Sequence, residues 1–336
     1  MIKEALRKLA DKKGLSRAEA YETMNDIMTG QASDSAISGF LMALRVKGES
    51  PEEIAGCAQS MREKSVRIQT KHKDVIDTCG TGGDASGTFN ISTTAAIIAS
   101  AAGAVVAKHG NRAVSSKCGS ADVLKALGVN IDIPSEKVSR VLDEVGITFL
   151  FAPMMHQAMK YAAGVRKDLG IRTIFNILGP LTNPAGARRH LMGVFHPMLT
   201  ETMAAVLQQL GTDHALVVHG EGGFDELTTL GTSKVSELRN GEVRTYTLHP
   251  RDVGVEVTSM EGLKGGDAEE NAALTRRILE GHNGASREIA LLNAGAGIFV
   301  AGKTLSIKEG IAMARQVIDS GKAKKKLQEW IDATNS

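Results

Sequence analysis

The chain has 336 residues with 40 Lys and Arg against 38 Asp and Glu, a net charge of +2 that draws it to neither nucleic acid nor a membrane surface. Aromatic residues make up 4%, too few for the stacking platforms that bind single-stranded nucleic acid, and no apolar run is long enough to span a bilayer. Cys57, Cys79 and Cys118 show no metal-ligand spacing and leave an odd count, which fits a reduced, cytoplasmic setting rather than a disulfide framework.

Residues 1–66 read as helices alone. Met1-Ile2-Lys3-Glu4 leads straight into a charged amphipathic helix with Ile2, Leu6 and Leu9 on one face, so no secretory leader is expected. Ser16 with Glu19 forms a capping box before a helix carrying Met24, Ile27 and Met28. Ser50, Pro51 and Glu53 start another in the same way, with Ile54, Cys57 and Met61 on its apolar stripe.

From residue 74 strands and helices alternate. Strands are expected at Val75–Asp77, Ala104–Lys108, Thr148–Ala152, His190–Phe195 and Ala215–His219, with Glu288–Leu292 a weaker candidate. Between them lie helices at Thr93–Ala102, Lys137–Val145 and Met203–Leu210, the last two stopped by Gly146 and Gly211. Residues 234–258 alternate around Asn240-Gly241 and predict an antiparallel hairpin at the sheet edge. A C-terminal helix spans Ile307–Ile331, and its lysines Lys322 and Lys324–Lys326 read as a solvated face. The expected fold class is α/β: a small all-helical N-terminal domain (1–66, joined by helices from about 164–186) and a large α/β domain (74–336). The latter would have a mostly parallel sheet flanked by helices.

Residues 79–93 carry the most chemistry. Gly80, Gly82, Gly83 and Gly87 follow a strand and precede a helix, the arrangement in which backbone amides and a helix N-terminus cradle phosphate. Common nucleotide motifs fail: a dinucleotide fingerprint from Gly80 needs glycine where Ala85 stands, and a P-loop needs a lysine the run lacks. Asp84 inside the turn suits a metal or a hydroxylated sugar. The alternative is a tight turn with no ligand. A second block, Lys108 to Asp122, leaves a strand end with Lys108, His109, Asn111, Arg112, Ser115, Ser116 and Ser120 as donors, and would enclose an anion from the other side. A third, Gly222 to Thr228, places Asp225 and Glu226 after an apolar strand. Their oxygens suit Mg²⁺ more than a soft metal, and an exposed acidic loop is the plainer alternative. In residues 156–184, Arg166 offers a planar fork for a carboxylate, while His156 and the Gly-Pro and Asn-Pro pairs also read as ordinary structural residues.

Five segments occur in order: Gly-Thr-Gly-Gly-Asp (80–84), Asn-Ile-Ser-Thr (90–93), Lys-His-Gly-Asn-Arg (108–112), Asn-Ile-Leu-Gly-Pro-Leu-Thr-Asn-Pro (176–184) and Gly-Phe-Asp-Glu (223–226). In order and spacing the chain resembles the anthranilate phosphoribosyltransferases from end to end. The resemblance implies a pentosyltransferase that joins anthranilate to 5-phosphoribosyl 1-diphosphate, the second step from chorismate to L-tryptophan. It implies that Gly80, Gly83, Asp84, Thr88, Asn90, Ile91, Ser92 and Thr93 line the diphosphate donor. Lys108, His109, Gly110, Asn111, Arg112, Ala113, Val114, Ser115, Ser116 and Ser120 would cover it. Ser92, Asp225 and Glu226 would hold Mg²⁺. Gly80, Asn111, His156, Arg166 and Pro180 would surround anthranilate. His109, Asn111 and Arg166 would act by orientation rather than as a general base. The resemblance further implies a homodimer through the helical domain and leaves room for an anthranilate synthase subunit as partner.

The residue types agree with this chemistry. A transfer at the ribose C1 carbon through an oxocarbenium-like state needs charge stabilisation for the departing pyrophosphate and an amine held in line. An aromatic amine is unprotonated at neutral pH, so no strong base is required. Two other readings share parts of the pattern. A pyrimidine nucleoside phosphorylase would bind free phosphate and a nucleobase, and the Asp225-Glu226 pair with Asn111 and Arg166 speaks against it. A nucleic-acid-binding relative is opposed by the near-neutral charge and few aromatics.

Overall fold

The computed structural model describes every residue except 84, 85 and 114–116. Four helices open the chain: α1 (Ile2–Ala10), α2 (Arg17–Met28), α3 (Asp34–Lys47) and α4 (Pro51–Lys64). Both expected capping boxes form, at Ser16/Glu19 and Ser50/Glu53. Glu53 is fully buried, and its carboxylate also accepts from the Leu15 amide at 2.9 Å and pairs with Lys47 at 2.8 Å. One side chain thus ties the starts of α2 and α4 together. These two helices touch across Gly56, where a Cβ would fall 2.2 Å from the Arg17 carbonyl oxygen.

Seven strands follow: β1 (Val75–Asp77), β2 (Val105–Gly110), β3 (Ile147–Phe151), β4 (Arg189–Gly193), β5 (His214–Gly220), β6 (Ser233–Arg239) and β7 (Glu242–Leu248). They form one sheet in the order β3-β2-β1-β4-β5-β6-β7. The first five are parallel, and β6 and β7 complete the edge antiparallel, as the Asn240-Gly241 turn predicts. Strand order reverses beside β1, which pairs β2 on one side and β4 on the other. A crevice at the carboxyl ends of such a pair is where open α/β sheets bind ligands.

The remaining helices are α5 (Ile91–Ala101), α6 (Ser120–Ala126), α7 (Ser135–Val145), α8 (Ala152–Met155), α9 (Lys160–Leu169), α10 (Phe175–Leu178), α11 (Leu199–Gln209), α12 (Ala268–Leu279), α13 (Ala285–Val300), α14 (Ile307–Asp319) and α15 (Lys322–Asn335). Two apolar cores result, and β5 feeds both through its period of two. Leu216 and Val218 join Ile76, Ile98, Leu291 and Trp330 in one core. Ala215 and Val217 join Met24, Phe40, Leu44 and Leu207 in the other, where the N-terminal bundle meets the sheet through α11. Ala162, Val165, Ile174 and Leu178 also pack into this second core.

The weaker strand candidate at Glu288–Leu292 is incorrect: those residues lie within α13. Ile289 through Val300 are all buried, so the helix shows no amphipathic stripe, and a short apolar run of this kind cannot be told from a buried strand by periodicity. The hairpin ends at Leu248, after which residues Pro250–Val253 turn as a 3-10 helix. The C-terminal helix is two helices, broken where Gly321 takes φ of 75°.

Candidate active site

The glycine run leaves β1 at the reversal point and is clamped at residues 81–83 and 87–89. Thr81 donates its amide to the Gly193 carbonyl at the end of β4 (2.8 Å), and its hydroxyl accepts from the Phe195 amide at 3.0 Å. The Gly82 amide donates to Asp225 Oδ2 at 2.8 Å. Arg172 donates to the Gly83 carbonyl. At the far end, Phe89 donates to the Leu263 carbonyl and Gly265 to Gly87, with Thr88 bridged to Lys264. The glycines do different jobs. Gly82, Gly83 and Gly87 have φ of 65°, 74° and 67°, which disfavour side chains. Gly80 is needed for space, because a Cβ there would lie 2.8 Å from Asp225 Oδ2. At Gly193, which the sequence did not single out, a Cβ would lie 1.4 Å from the Asp225 carbonyl oxygen.

The first turn of α5 holds Ile91, Ser92 and Thr93 where the helix N-terminus adds unpaired amides. Asn90 precedes it and ties the two loops: its Nδ2 donates to the Cys118 carbonyl at 3.2 Å, and its Oδ1 accepts from Asn271 Nδ2 at 3.0 Å. Ser92 Oγ lies 3.1 Å from Lys108 Nζ. Lys108 is almost fully buried, and its ammonium also donates to the Thr78 carbonyl at 2.8 Å. This cation therefore stitches β2 to the end of β1 and to α5 rather than standing open over the loop. Thr93 is buried, and its hydroxyl has no hydrogen-bond partner among the described residues.

The donor loop is organised from behind by Asp122, whose Oδ2 accepts from the Ala113 and Gly119 amides at 3.1 and 2.9 Å. Ser120 donates to the Asn111 carbonyl at 3.2 Å, and Gly110 leaves room for that hydroxyl, which a Cβ would approach to 2.4 Å. Asn111 is exposed and its Oδ1 accepts from the Arg112 amide. Arg112 lies over the Phe151 ring at 5.7 Å. Asp84, Val114, Ser115 and Ser116 lie outside the described residues.

His109 and His156 meet with ring centroids 4.9 Å apart. The segment after α10 anchors the first of them: His109 Nδ1 pairs with the Gly179 carbonyl at 3.0 Å, next to buried Pro180. The Nδ1 proton of His109 then belongs to that bond, and among the described residues neither ring's Nε2 has a hydrogen-bond partner. Burial keeps both rings neutral, lowering His109 to about 3 and His156 to about 4. Arg166 sits half-buried on α9 over the Phe175 ring at 5.2 Å, and burial lowers its pKa from the ordinary guanidinium value. Among the described residues no hydrogen bond joins it to Asn111.

Asp225 and Glu226 follow β5 and are half-buried beside the glycine loop. Their carboxylates are hard oxygen donors, the kind that suits Mg²⁺. Asp77, Cys79 and His109 also approach within 4.8 Å of one another. Those three are a hydrogen-bonded core rather than a metal centre: Asp77 Oδ1 accepts from the His109 amide and Oδ2 from Asn183 Nδ2, burial pushes the Cys79 thiol up, and the Lys108 ammonium stands beside them.

The α/β domain model of a glycosyl transferase family matches residues 72–324, and the helical bundle domain model of a glycosyl transferase family matches residues 3–65. The chain belongs to the glycosyl transferase family. Within this glycosyl transferase family, the anthranilate phosphoribosyltransferase of Acetivibrio thermocellus is 54% identical over 336 residues, covering 100% of this chain and 97% of the relative. That of Moorella thermoacetica is 52% identical, covering 99% of each. The crystal structure of anthranilate phosphoribosyltransferase from Thermus thermophilus superposes with a TM-score of 0.94 at 47% identity over 99% of both chains. The Saccharomyces cerevisiae enzyme in complex with PRPP and Mg superposes at 0.90 with 28% identity, over 99% of this chain and 98% of that one.

The buried histidines set a pH dependence of stability. His109, His156 and His190 titrate near 3 to 4 when folded against 6.5 ordinarily, so between these values the unfolded chain binds protons the folded chain refuses. Their contribution is complete above 6.5 and is lost as pH falls. Asp77 works the other way: raised from 3.8 to about 6, it holds a proton in the folded chain in that window. Three protons against one leave a net uptake of about two from these groups on unfolding near pH 5, so stability there should fall with acid by roughly 3 kcal/mol per pH unit. Calorimetric unfolding at pH 7 and pH 5 checks this. A melting temperature unchanged or higher at pH 5 would contradict the assignment of neutral, buried imidazoles.

Proposed function

We infer that the chain transfers the phosphoribosyl group of 5-phosphoribosyl 1-diphosphate (PRPP) to the amine of anthranilate, giving N-(5-phosphoribosyl)anthranilate and pyrophosphate. One observation carries this: enzymes of that name are 50–54% identical along the whole chain, and the loops bearing the five segments converge where strand order reverses. The bond from C1 to the diphosphate oxygen breaks with its electron pair leaving on pyrophosphate, and a C1–N bond forms from the amine lone pair. The amine then gives up one proton.

The residues divide this work. The glycine loop (Gly80, Gly83, Asp84, Thr88) and the first turn of α5 (Asn90, Ile91, Ser92, Thr93) receive the diphosphate donor, and residues His109 to Ser116 with Ser120 cover it. Arg112 and the first-turn amides of α5 face the departing negative charge. The Lys108 ammonium reinforces that field from below, through Ser92. Arg166 and Asn111 orient anthranilate beside Gly80, His156 and Pro180. His109 and His156, held neutral with no Nε2 partner among the described residues, accept a hydrogen bond rather than abstract a proton. Ser92, Asp225 and Glu226 would hold Mg²⁺, a fit supported by their hard oxygen set and by the space that Gly80 and Gly193 reserve for Asp225. Bound there, Mg²⁺ supplies charge neutralisation to the diphosphate. Residues 1–66 and 74–336 form the two domains, with about 164–186 packed onto the first. The enzyme works in the cytoplasm. No described helix is long and apolar enough to cross a membrane.

Fluorescence of the product formed from anthranilate, PRPP and Mg²⁺ tests the reaction. Arg166→Ala should raise the KM for anthranilate about tenfold with a smaller change for PRPP, as loss of one charge-assisted contact does. No signal from folded wild-type protein would sink the assignment, and a loss confined to PRPP would remove Arg166 from the anthranilate site.

Asp225→Asn combined with Glu226→Gln should raise the Mg²⁺ concentration for half-maximal activity by about tenfold or more. A metal titration superimposable on wild type would take both carboxylates out of the metal site.

A homodimer through the helical domain belongs to the same reading. It is supported by the exposed apolar side chains Met1, Met42 and Val46 on and beside α1 and α3, Val46 being 80% accessible. Sedimentation velocity should give about twice the chain mass, and monomer mass at micromolar concentration would exclude it.

A further inference from the structure

Arg172 belongs to the connector between α9 and α10, yet its guanidinium reaches the glycine loop 89 positions away and donates to the Gly83 carbonyl. Its central carbon stands 4.4 Å from the centroid of the Phe195 ring, the shortest such contact among the described residues. Phe195 is tied to the same loop through its own amide, which donates to Thr81 Oγ1 at 3.0 Å. The ring is thus a fixed platform, and an otherwise exposed arginine is held against it in one pose. On the loop side, Gly83 has φ of 74°, and a Cβ there would meet the Arg172 guanidinium at 3.5 Å. Arg166 lies six positions earlier, on α9, and Phe175 beneath it opens α10.

We propose that Arg172 is a positioning residue for PRPP: it fixes the curvature of the glycine loop at Gly83 from the connector between α9 and α10. This deepens the proposed function and rests on its reading that the loop receives the diphosphate. The arginine touches a carbonyl of the loop and acts through it. Its effect therefore falls on donor affinity rather than on turnover.

The test compares wild type with Arg172→Ala, Arg172→Lys and Phe195→Leu by steady-state kinetics, and by calorimetric binding of PRPP with Mg²⁺ in the absence of anthranilate. Arg172→Ala should weaken PRPP about fivefold in both KM and Kd, with kcat and the KM for anthranilate within about twofold of wild type. Arg172→Lys keeps a charged donor but loses the planar stack, so it should recover part of the loss; Phe195→Leu should weaken PRPP in the same direction. Unchanged PRPP affinity in a folded Arg172→Ala protein overturns the proposal, as does a loss that falls on anthranilate instead. Should Arg172→Ala not fold, PRPP affinity equal to wild type in both milder variants overturns it. Wild-type protein that binds PRPP but forms no fluorescent product would count against the reaction assigned above, and the binding comparison would still decide the role of Arg172.

Discussion

The Asp77 carboxylate is buried at the end of β1, and the site is built around keeping it partnered. An ionised group in that position is costly unless every oxygen is met by a donor. The His109 amide meets Oδ1 at 3.0 Å, and Asn183 Nδ2 meets Oδ2 at 2.7 Å while also reaching the Ala107 carbonyl at 2.8 Å. These bonds fix three things at once. They set where β2 ends and the donor loop begins, they dock the segment 176–184 against the sheet, and they bring the Gly179 carbonyl to the His109 ring. Lys108, next in sequence to His109, then lies where its ammonium can close the gap between β1 and α5.

The parts of this site that were legible in the sequence are those whose signal is local. Gly82, Gly83 and Gly87 announce a turn because their backbone angles need glycine, and the helix after them is read from its own alanine-rich run. The converging loops were legible only through the order of five segments, since no spacing rule states that residues after β1, β2 and β5 share one crevice. Residues that act across large separations escaped. Asn271 holds Asn90 from 181 positions away, and Gly193 makes room for Asp225. Neither belongs to a local pattern, because each is a single polar or small residue whose partner the fold supplies. Asn183 stood inside a recognised segment, yet its Asn-Pro pair reads as turn chemistry and gives no hint of the carboxylate it meets.

The misreading of Glu288–Leu292 has the same origin in burial. A helix such as α13, packed by α5, the sheet and α14, loses the polar face that gives helices their period. Lys108 shows the converse: a lysine among other donors reads as an open phosphate contact, while the fold directs its ammonium to Thr78 and Ser92. Sequence identifies which groups are present. Their occupancy is decided by the packing.

That packing also explains why a site so rich in titratable groups holds no strong base. Desolvation takes His109 and His156 out of the protonated range, and the His109 Nδ1 is fixed on the Gly179 carbonyl. Lys108 is turned into a structural cation by the oxygens around it. What is left facing the crevice is a set of amides, hydroxyls, carboxylates and guanidinium groups with fixed directions. Such a set can bind a diphosphate, hold a carboxylate and accept a weak hydrogen bond, and it can do little by proton transfer. A substitution at carbon by an amine already unprotonated needs only the former, because its barrier lies in separating charge and aligning the nucleophile.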